Sequence, residues 1–510
     1  MPQADFSSAN KRGARLRRIG RMARSWPVLV ACLAVALPVS AQIAVRNQGY
    51  LPYSDAPINY RSEDLSDPVA LLEKQIEQGK VSLTYDQDHG YLRSVLDLLK
   101  VPVESQTLVF SKTSFQYPKI SPQHPRALYY NDDVYVGSVH QGNAIEIVSF
   151  DPRQGAIFYL LDERKVDKPV FQRAELDCTQ CHIAAGTRGV PGVLLRSVFA
   201  TPTGTLTPRA PTYITDQESP FKQRWGGWYV TGALAKASMG NAAAAAAQPA
   251  ADPASAAAAP GAAPQLSPLD QPFDPSAYLA PGSDQVALLV LTHQAQMHNL
   301  ITLTNYQTRL ALYALAKNTV AGPVQAAFTG DGSSLDALPE ATRRQIQKPA
   351  DQLLRYLLFA NETPLGGLNA QQVIASSPFA REFAARGVRD SQGRSLRDFD
   401  LHDRIFKYPC SYLIYNAAFD TLPEPAKGYI YHRLLQVLSG QDQSPDFANL
   451  SAKDREAILS ILLETKPGLP AEWRDYARAR HLKLAALSPA ETANPSLNLS
   501  TSPSTEGTQP

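Results

Sequence analysis

Sulfur is scarce in this chain. Its 510 residues include four cysteines and four methionines, too few thiols for a disulfide-built scaffold and spaced to give one Cys-x-x-Cys pair rather than the two of a four-cysteine zinc centre. Long apolar runs are missing as well. The run at 26–37 is about a dozen residues, well short of the roughly 20 that cross a bilayer as a helix, and no later run approaches that length. Excess charge of one sign is absent: the formal net charge is +2. Even that surplus belongs to the first 41 residues, where Lys11, Arg12, Arg15, Arg17, Arg18, Arg21 and Arg24 against Asp5 give +6, leaving about −4 for the remainder. Nucleic-acid binding thus loses its only support. No internal repeat is present.

Residues 1–41 have the layout of a secretory signal: a basic start, the short apolar core and the small-residue site Val39-Ser40-Ala41. The expectation is a cleaved signal peptide and a periplasmic, soluble product with no membrane span after cleavage. Leu29-Val30-Ala31-Cys32 is a weaker match to a lipoprotein box, because too little apolar sequence precedes Cys32 and too much follows it.

The chain is organised around Cys178-Thr179-Gln180-Cys181-His182. Cys-x-x-Cys-His is the attachment signature of a c-type haem. Two thiols three residues apart reach the vinyl groups on one edge of a porphyrin, and the next residue, His182, takes an axial position on the iron. The competing readings each lack something. A zinc site has only Cys410 to add, a thioredoxin-type dithiol lacks its βαβ setting, and a Cys178–Cys181 disulfide closes too short a loop to constrain much. The cofactor expected is therefore one covalent haem c on Cys178, Cys181 and His182.

The expected fold class is α+β. Residues 50–236 read as a mixed haem-attachment domain, with helices at 67–78 and 91–99 and strands at 107–110, 134–139, 144–150, 156–161 and, after the motif, 192–200. Turn signals at 131–133, 141–143 and 151–153 imply an antiparallel meander leading to the motif. Residues 237–283 read as an Ala/Pro-rich linker whose prolines interrupt its alanine runs. Residues 284–487 read as an all-helical domain, with helices at 284–317, 341–359, 377–385, 412–419, 428–439, 452–464 and 471–487. Residues 488–510 read as a disordered tail.

Several stretches together carry a family resemblance: 108–116 (LVFSKTSFQ), 130–137 (YNDDVYVG), the motif followed by 189–192 (GVPG), 224–232 (RWGGWYVTG), 297–301 (MHNLI) and 408–415 (YPCSYLIY). In these the chain resembles a family of exported bacterial proteins that contain a cytochrome c domain and have no assigned reaction. The resemblance implies an exported haem c protein and supplies no substrate.

A six-coordinate electron carrier needs a second axial ligand, most often Met or His. The richest segment for one is 293–299, where His293 and Met297 stand four residues apart on one helical face and His298 projects about 100° further round. Met297 is the leading candidate for the metal, ahead of His298, His293 and Met239; the alternative is that Met297 is core and the histidines are satisfied polar groups. Trp225, Trp228 and Tyr229 read as core or as a porphyrin contact, Cys410 as a buried inert thiol, and His402-Asp403 as a possible oriented imidazole.

The leading functional expectation is a periplasmic monohaem c-type cytochrome that passes single electrons to a redox partner the sequence does not identify. The chain is long for a simple carrier, which keeps open a haem-dependent oxidoreductase of peroxidase or oxygenase type, or a haem-based sensor module. The sequence leaves the oligomeric state unspecified.

Overall fold

The computed structural model describes residues 51–232, 272–318 and 335–483. The expected signal segment, the alanine-rich body of the linker with Met239, and the tail from 488 lie outside the described residues.

Two short helices come first, α1 (Pro68–Glu77) and α2 (Leu92–Leu98). Asp67 starts α1: its carboxylate accepts from the N–H groups of Val69 and Ala70, and Pro68 fills the first turn, where no N–H is needed. Six strands then follow, β1 (Thr107–Val109), β2 (Arg126–Tyr130), β3 (Val134–Val139), β4 (Ala144–Asp151), β5 (Gly155–Asp162) and β6 (Phe171–Arg173). They form one antiparallel sheet in sequential order. Side-chain turns set that order. Asn131 Oδ1 accepts from the N–H groups of Asp133 and Val134 between β2 and β3, and Asp151 Oδ1 accepts from those of Arg153 and Gln154 between β4 and β5. The sequence reading contains neither β2 nor β6.

Residues directly opposite across antiparallel strands share a face of the sheet. The register puts Tyr130, Tyr135, Val148 and Phe158 on one face, with Leu128, Gly137, Glu146 and Leu160 in the next row along it. The opposite face holds Tyr129, Val136, Ile147 and Tyr159. α1 covers it: Asp67 accepts from Tyr159 Oη at 2.9 Å, and the Val69 N–H donates to Ser149 Oγ at 3.3 Å.

The motif helix α3 (Glu175–His182) follows β6 directly, and after it β7 (Leu195–Val198) and β8 (Thr212–Thr215) form a separate two-stranded sheet. Helix α4 (Gln285–Asn318) is 34 residues long, roughly 50 Å at the usual rise. Asp284 caps it by accepting from the N–H groups of Val286 and Ala287. Every residue from Gln285 to Tyr306 is buried whichever way it projects, so this part of the helix is enclosed on all sides. The first face of the sheet lies against it, with Tyr130 Oη donating to the Ala287 carbonyl at 2.6 Å. Around it stand α5 (Glu340–Leu357), α6 (Ala370–Ala375), α7 (Pro378–Ala385), α8 (Ala417–Asp420), α9 (Glu424–Leu438), α10 (Ala452–Thr465) and α11 (Ala471–Ala479). The helix expected over 412–419 is interrupted: a 3₁₀ turn covers Tyr412–Tyr415, and Asn416 then caps a new start at α8.

The chain is α+β, with an antiparallel sheet in its first half and helices in its second. One hydrophobic cluster runs from Ile58 to Ala477, so the regions 50–236 and 284–487 share a core, and α4 is the common wall. The end of the expected linker is also pinned rather than loose. Phe273 is buried, Tyr278 Oη donates to the Pro125 carbonyl at 2.9 Å, and Gln106 Nε2 donates to the carbonyls of Ala280 and Gly282 at 2.7 and 2.8 Å. Aromatic anchors there outweigh the local proline content. Among the described residues no helix is long and apolar enough to cross a membrane.

Candidate haem site

α3 carries the whole motif on about two turns. Glu175 and Asp177 occupy its first turn, where the helix dipole favours negative charge. Arg61 Nε donates to Glu175 at 3.0 Å. The Ala174 N–H donates to the Phe158 carbonyl at 2.9 Å, which docks the start of the helix on β5. Three residues apart, Cys178 and Cys181 share one side of α3. Both are free thiols, Cys178 half-buried and Cys181 exposed. Burial, followed by the nearby Glu146 carboxylate, pushes the Cys178 thiol up to about 11. A redox dithiol of the thioredoxin kind needs its nucleophile shifted the other way.

His182 ends the helix, because Ile183 leaves helical angles (φ −123°, ψ 87°). Its Nδ1 lies 2.9 Å from the Gly192 carbonyl oxygen. A carbonyl has no proton to give, so Nδ1 is the donor and Nε2 keeps its lone pair. No hydrogen bond reaches Nε2 among the described residues. Burial holds the imidazole below its ordinary pKa, against the opposing Gly192 bond, and the ring is neutral near pH 7. A neutral ring with Nδ1–H on a backbone carbonyl and a free Nε2 is the arrangement adopted by metal-binding histidines.

The orientation of that ring is built in from the core. The Gly192 N–H donates back to the His182 carbonyl at 3.1 Å, closing the loop between them. Asn299 on α4 then grips the next residue, its Oδ1 accepting from the Val193 N–H at 3.1 Å and its Nδ2 donating to the Val193 carbonyl at 2.8 Å. A side chain at Gly192 would overlap Asn299 Oδ1, so only glycine allows this approach. The Phe158 ring lies 5.1 Å from the imidazole. Next to Phe158 on the same sheet face, Leu128, Val148 and Leu160 are only half-buried and offer an apolar surface beside the thiols.

The residues present fit a covalently held haem. Two unpaired thiols on one side of a helix, a neutral imidazole with a free Nε2, and a half-open apolar face are what such a group requires. A metal held by the protein alone is less well served: among the described residues no group of three or more His, Cys, Asp or Glu side chains is placed to hold one.

The second-ligand candidates fall in different places. Met297 is fully buried in the core, on the α4 face it shares with His293. That face is turned to other partners: His293 Nδ1 meets Gln217 Oε1 at 2.5 Å and its Nε2 meets Ser411 Oγ at 2.7 Å, so both nitrogens are engaged. His298 faces the sheet, with Nδ1 2.9 Å from Tyr135 Oη and the ring stacked on Phe150 at 4.0 Å, while Nε2 is buried without a partner. The structure links none of these to α3.

Trp225 and Trp228 form a core turn between β1 and β7. The Phe110 N–H donates to the Gly227 carbonyl at 2.8 Å, and Trp228 Nε1 donates to the Arg196 carbonyl at 2.9 Å. Cys410 is fully buried, and burial raises its thiol pKa. His402 Nδ1 and Asp403 Oδ1 are 3.1 Å apart on the surface. A cleft of about 640 Å³ lined by Tyr85, His89, Tyr129, His140 and Glu163 opens beside the opposite face of the sheet and takes in none of the motif.

Sequence reasoning did not single out Phe158, Gly192 or Asn299. The two glycines of Gly189-Val190-Pro191-Gly192, so soon after the motif, were the available signal of a tight return. Comparison with protein-family models, with curated proteins and with solved structures gives no match to this chain.

Proposed function

We propose that this protein is an exported c-type cytochrome holding one haem through thioethers at Cys178 and Cys181, with His182 as an axial ligand, and that its work is one-electron transfer. The observation that carries the reading is the His182 ring, fixed by Gly192 in the tautomer that leaves Nε2 available. When bound, haem c supplies an iron that changes oxidation state by one electron. The chain's own residues do the rest: the thiols hold, Gly192 and Asn299 orient the imidazole, and Phe158 with the half-buried aliphatic side chains keeps water from one side. Export and a periplasmic location rest on residues 1–41 and belong to the same proposal.

A second reading, a haem-dependent oxidoreductase or sensor with an open sixth position, is favoured by one observation. His293 has both ring nitrogens engaged, and Met297 is buried on the same side of α4, which leaves neither presented to the motif.

The test is the alkaline pyridine haemochrome spectrum of protein matured in a periplasm equipped for haem c assembly. Wild type is expected to give the band of a doubly thioether-linked haem, and Cys178→Ser or Cys181→Ser the shifted band of a singly linked one. Absence of any haemochrome from wild type sinks the proposal. Carbon monoxide added to the reduced protein separates the two readings: an unchanged spectrum favours the carrier, and ready binding favours the open site.

A further inference from the structure

Along the sheet face that bears Phe158 stands an ion pair that bridges β2 and β4. Arg126 lies on β2 and Glu146 on β4, and between them on β3 is Gly137, opposite Glu146 in register. Arg126 reaches across the bare backbone of Gly137 to Glu146 Oε2. A Cβ at 137 would come within 2.8 Å of the guanidinium carbon, so the glycine is what opens the path. The two side chains are 19% and 14% exposed, enough desolvation to weaken screening by water and salt.

The two partners are unequally committed. Glu146 Oε1 accepts from Ser114 Oγ at 2.7 Å and from Gln116 Nε2 at 2.8 Å, in addition to the arginine on Oε2. Arg126 has only Glu146 among the described residues, and its Nε is buried without a partner. The carboxylate is thus clamped in place, and the guanidinium is held by the carboxylate.

The pair is close to the motif. Glu146 pairs with Leu160, and the next pair on that face is Val148 with Phe158, one step of roughly 7 Å along the strand. Phe158 in turn touches His182 at 5.1 Å between ring centres. Both charges register on the motif in the same sense at each group, Glu146 raising and Arg126 lowering the pKa of the Cys178 thiol and of the His182 imidazole alike.

We propose that Arg126 and Glu146 form a fixed charge pair that sets the reduction potential of the haem held by Cys178, Cys181 and His182, the guanidinium raising it and the carboxylate lowering it. The inference rests on the functional reading above. Its physics is the extra positive charge that oxidation leaves on the iron. A nearby cation makes that state less favourable and an anion makes it more so, most strongly where water is thin. Both residues act through position and touch no reacting atom.

The experiment is spectroelectrochemical titration of the haem-loaded wild type and of Arg126→Gln, Arg126→Lys, Glu146→Gln and the double Gln variant, with haem content per chain measured alongside. Arg126→Gln is expected to shift the midpoint down, Glu146→Gln to shift it up, Arg126→Lys to stay near wild type, and the double variant to return toward it. A purely structural pair would give melting changes and no opposed shifts. Midpoints that do not move, or that move the same way in both single variants, overturn the inference while leaving the cytochrome reading intact. If Arg126→Gln does not mature, Glu146→Gln decides alone, a rise supporting the inference and no shift or a fall overturning it. A wild type that takes up no covalent haem overturns both.

Discussion

One face of the six-stranded sheet is used in two ways. Around Tyr130, Tyr135 and Phe150 it is closed by α4, and its polar groups are matched except for His298 Nε2. Tyr130 donates to the Ala287 carbonyl, Gln294 Nε2 donates to Tyr135 Oη at 3.0 Å, and His298 bonds Tyr135 while stacking on Phe150. Further along, around Leu128, Val148 and Leu160, the same strands are half-open and bear a charge pair, with the free thiols and the free imidazole nitrogen of α3 beside them. The closed region is packed by its own contacts and supplies stability. The open region is apolar and chemically unfinished, as a surface for a flat, hydrophobic, iron-bearing group would be. Stability and function are divided along the strands rather than between domains.

The division is sharpest in a pair of truncations. Phe150→Ala, in the closed region, should cost about 3–5 kcal/mol of unfolding free energy in denaturant titrations whether or not haem is attached. Val148→Ala, next to it on β4 but half-open, should cost less than about 1 kcal/mol in haem-free protein and more once the protein is haem-loaded. Equal costs in the haem-free state would break the comparison.

Asn299 joins the two regions, and its loss should be felt in both. Asn299→Ala leaves the N–H and carbonyl of Val193 unpaired in the core, worth about 1–3 kcal/mol in thermal or chemical unfolding. It also frees Gly192, so the nitrogen chemical shifts of the His182 ring should show mixed tautomers where wild type shows one. An unchanged single tautomer would mean that Asn299 does not position the ligand.

The effect that is smallest near neutral pH is a pH dependence. Burial holds the neutral His298 ring at about 3 in the folded protein, against about 6.5 when unfolded. The unfolded chain therefore takes the proton first. Stability from this group is full above about pH 6.5 and falls as pH drops toward 3, by up to about 1.4 kcal/mol per pH unit. His298→Asn, which keeps a polar group toward Tyr135, should flatten the acid side of the stability curve relative to wild type. Parallel curves would show that this imidazole is not what acid attacks.

Much of this arrangement was legible in the sequence, for reasons that are local. Alternating apolar residues located β3, β4 and β5, the Asn131 and Asp151 turns marked their ends, and the 3.6-residue period carried α4 nearly to its true bounds. The motif itself needed only spacing. What escaped depends on contacts between distant residues. β2 follows Pro122 and Pro125 and reads as loop until its neighbours β1 and β3 supply hydrogen bonds. β6 is three residues long and exists through β5. The tether at 272–283 looked free because prolines dominate its composition, while Phe273 and Tyr278 hold it down. The Gly192–His182 bond spans ten residues of irregular chain, and the Arg126–Glu146 pair exists only after two strand registers are fixed. Periodicity reports which face of an element is buried and is silent on which elements meet.

The most direct measurement is the intact mass of the exported, matured protein, followed by the mass of the proteolytic fragment containing 175–182. The account predicts one added haem, retained through denaturation and located on that fragment, with Cys178 and Cys181 no longer open to thiol reagents. A matured chain of unmodified mass, with both thiols free to react, would contradict it.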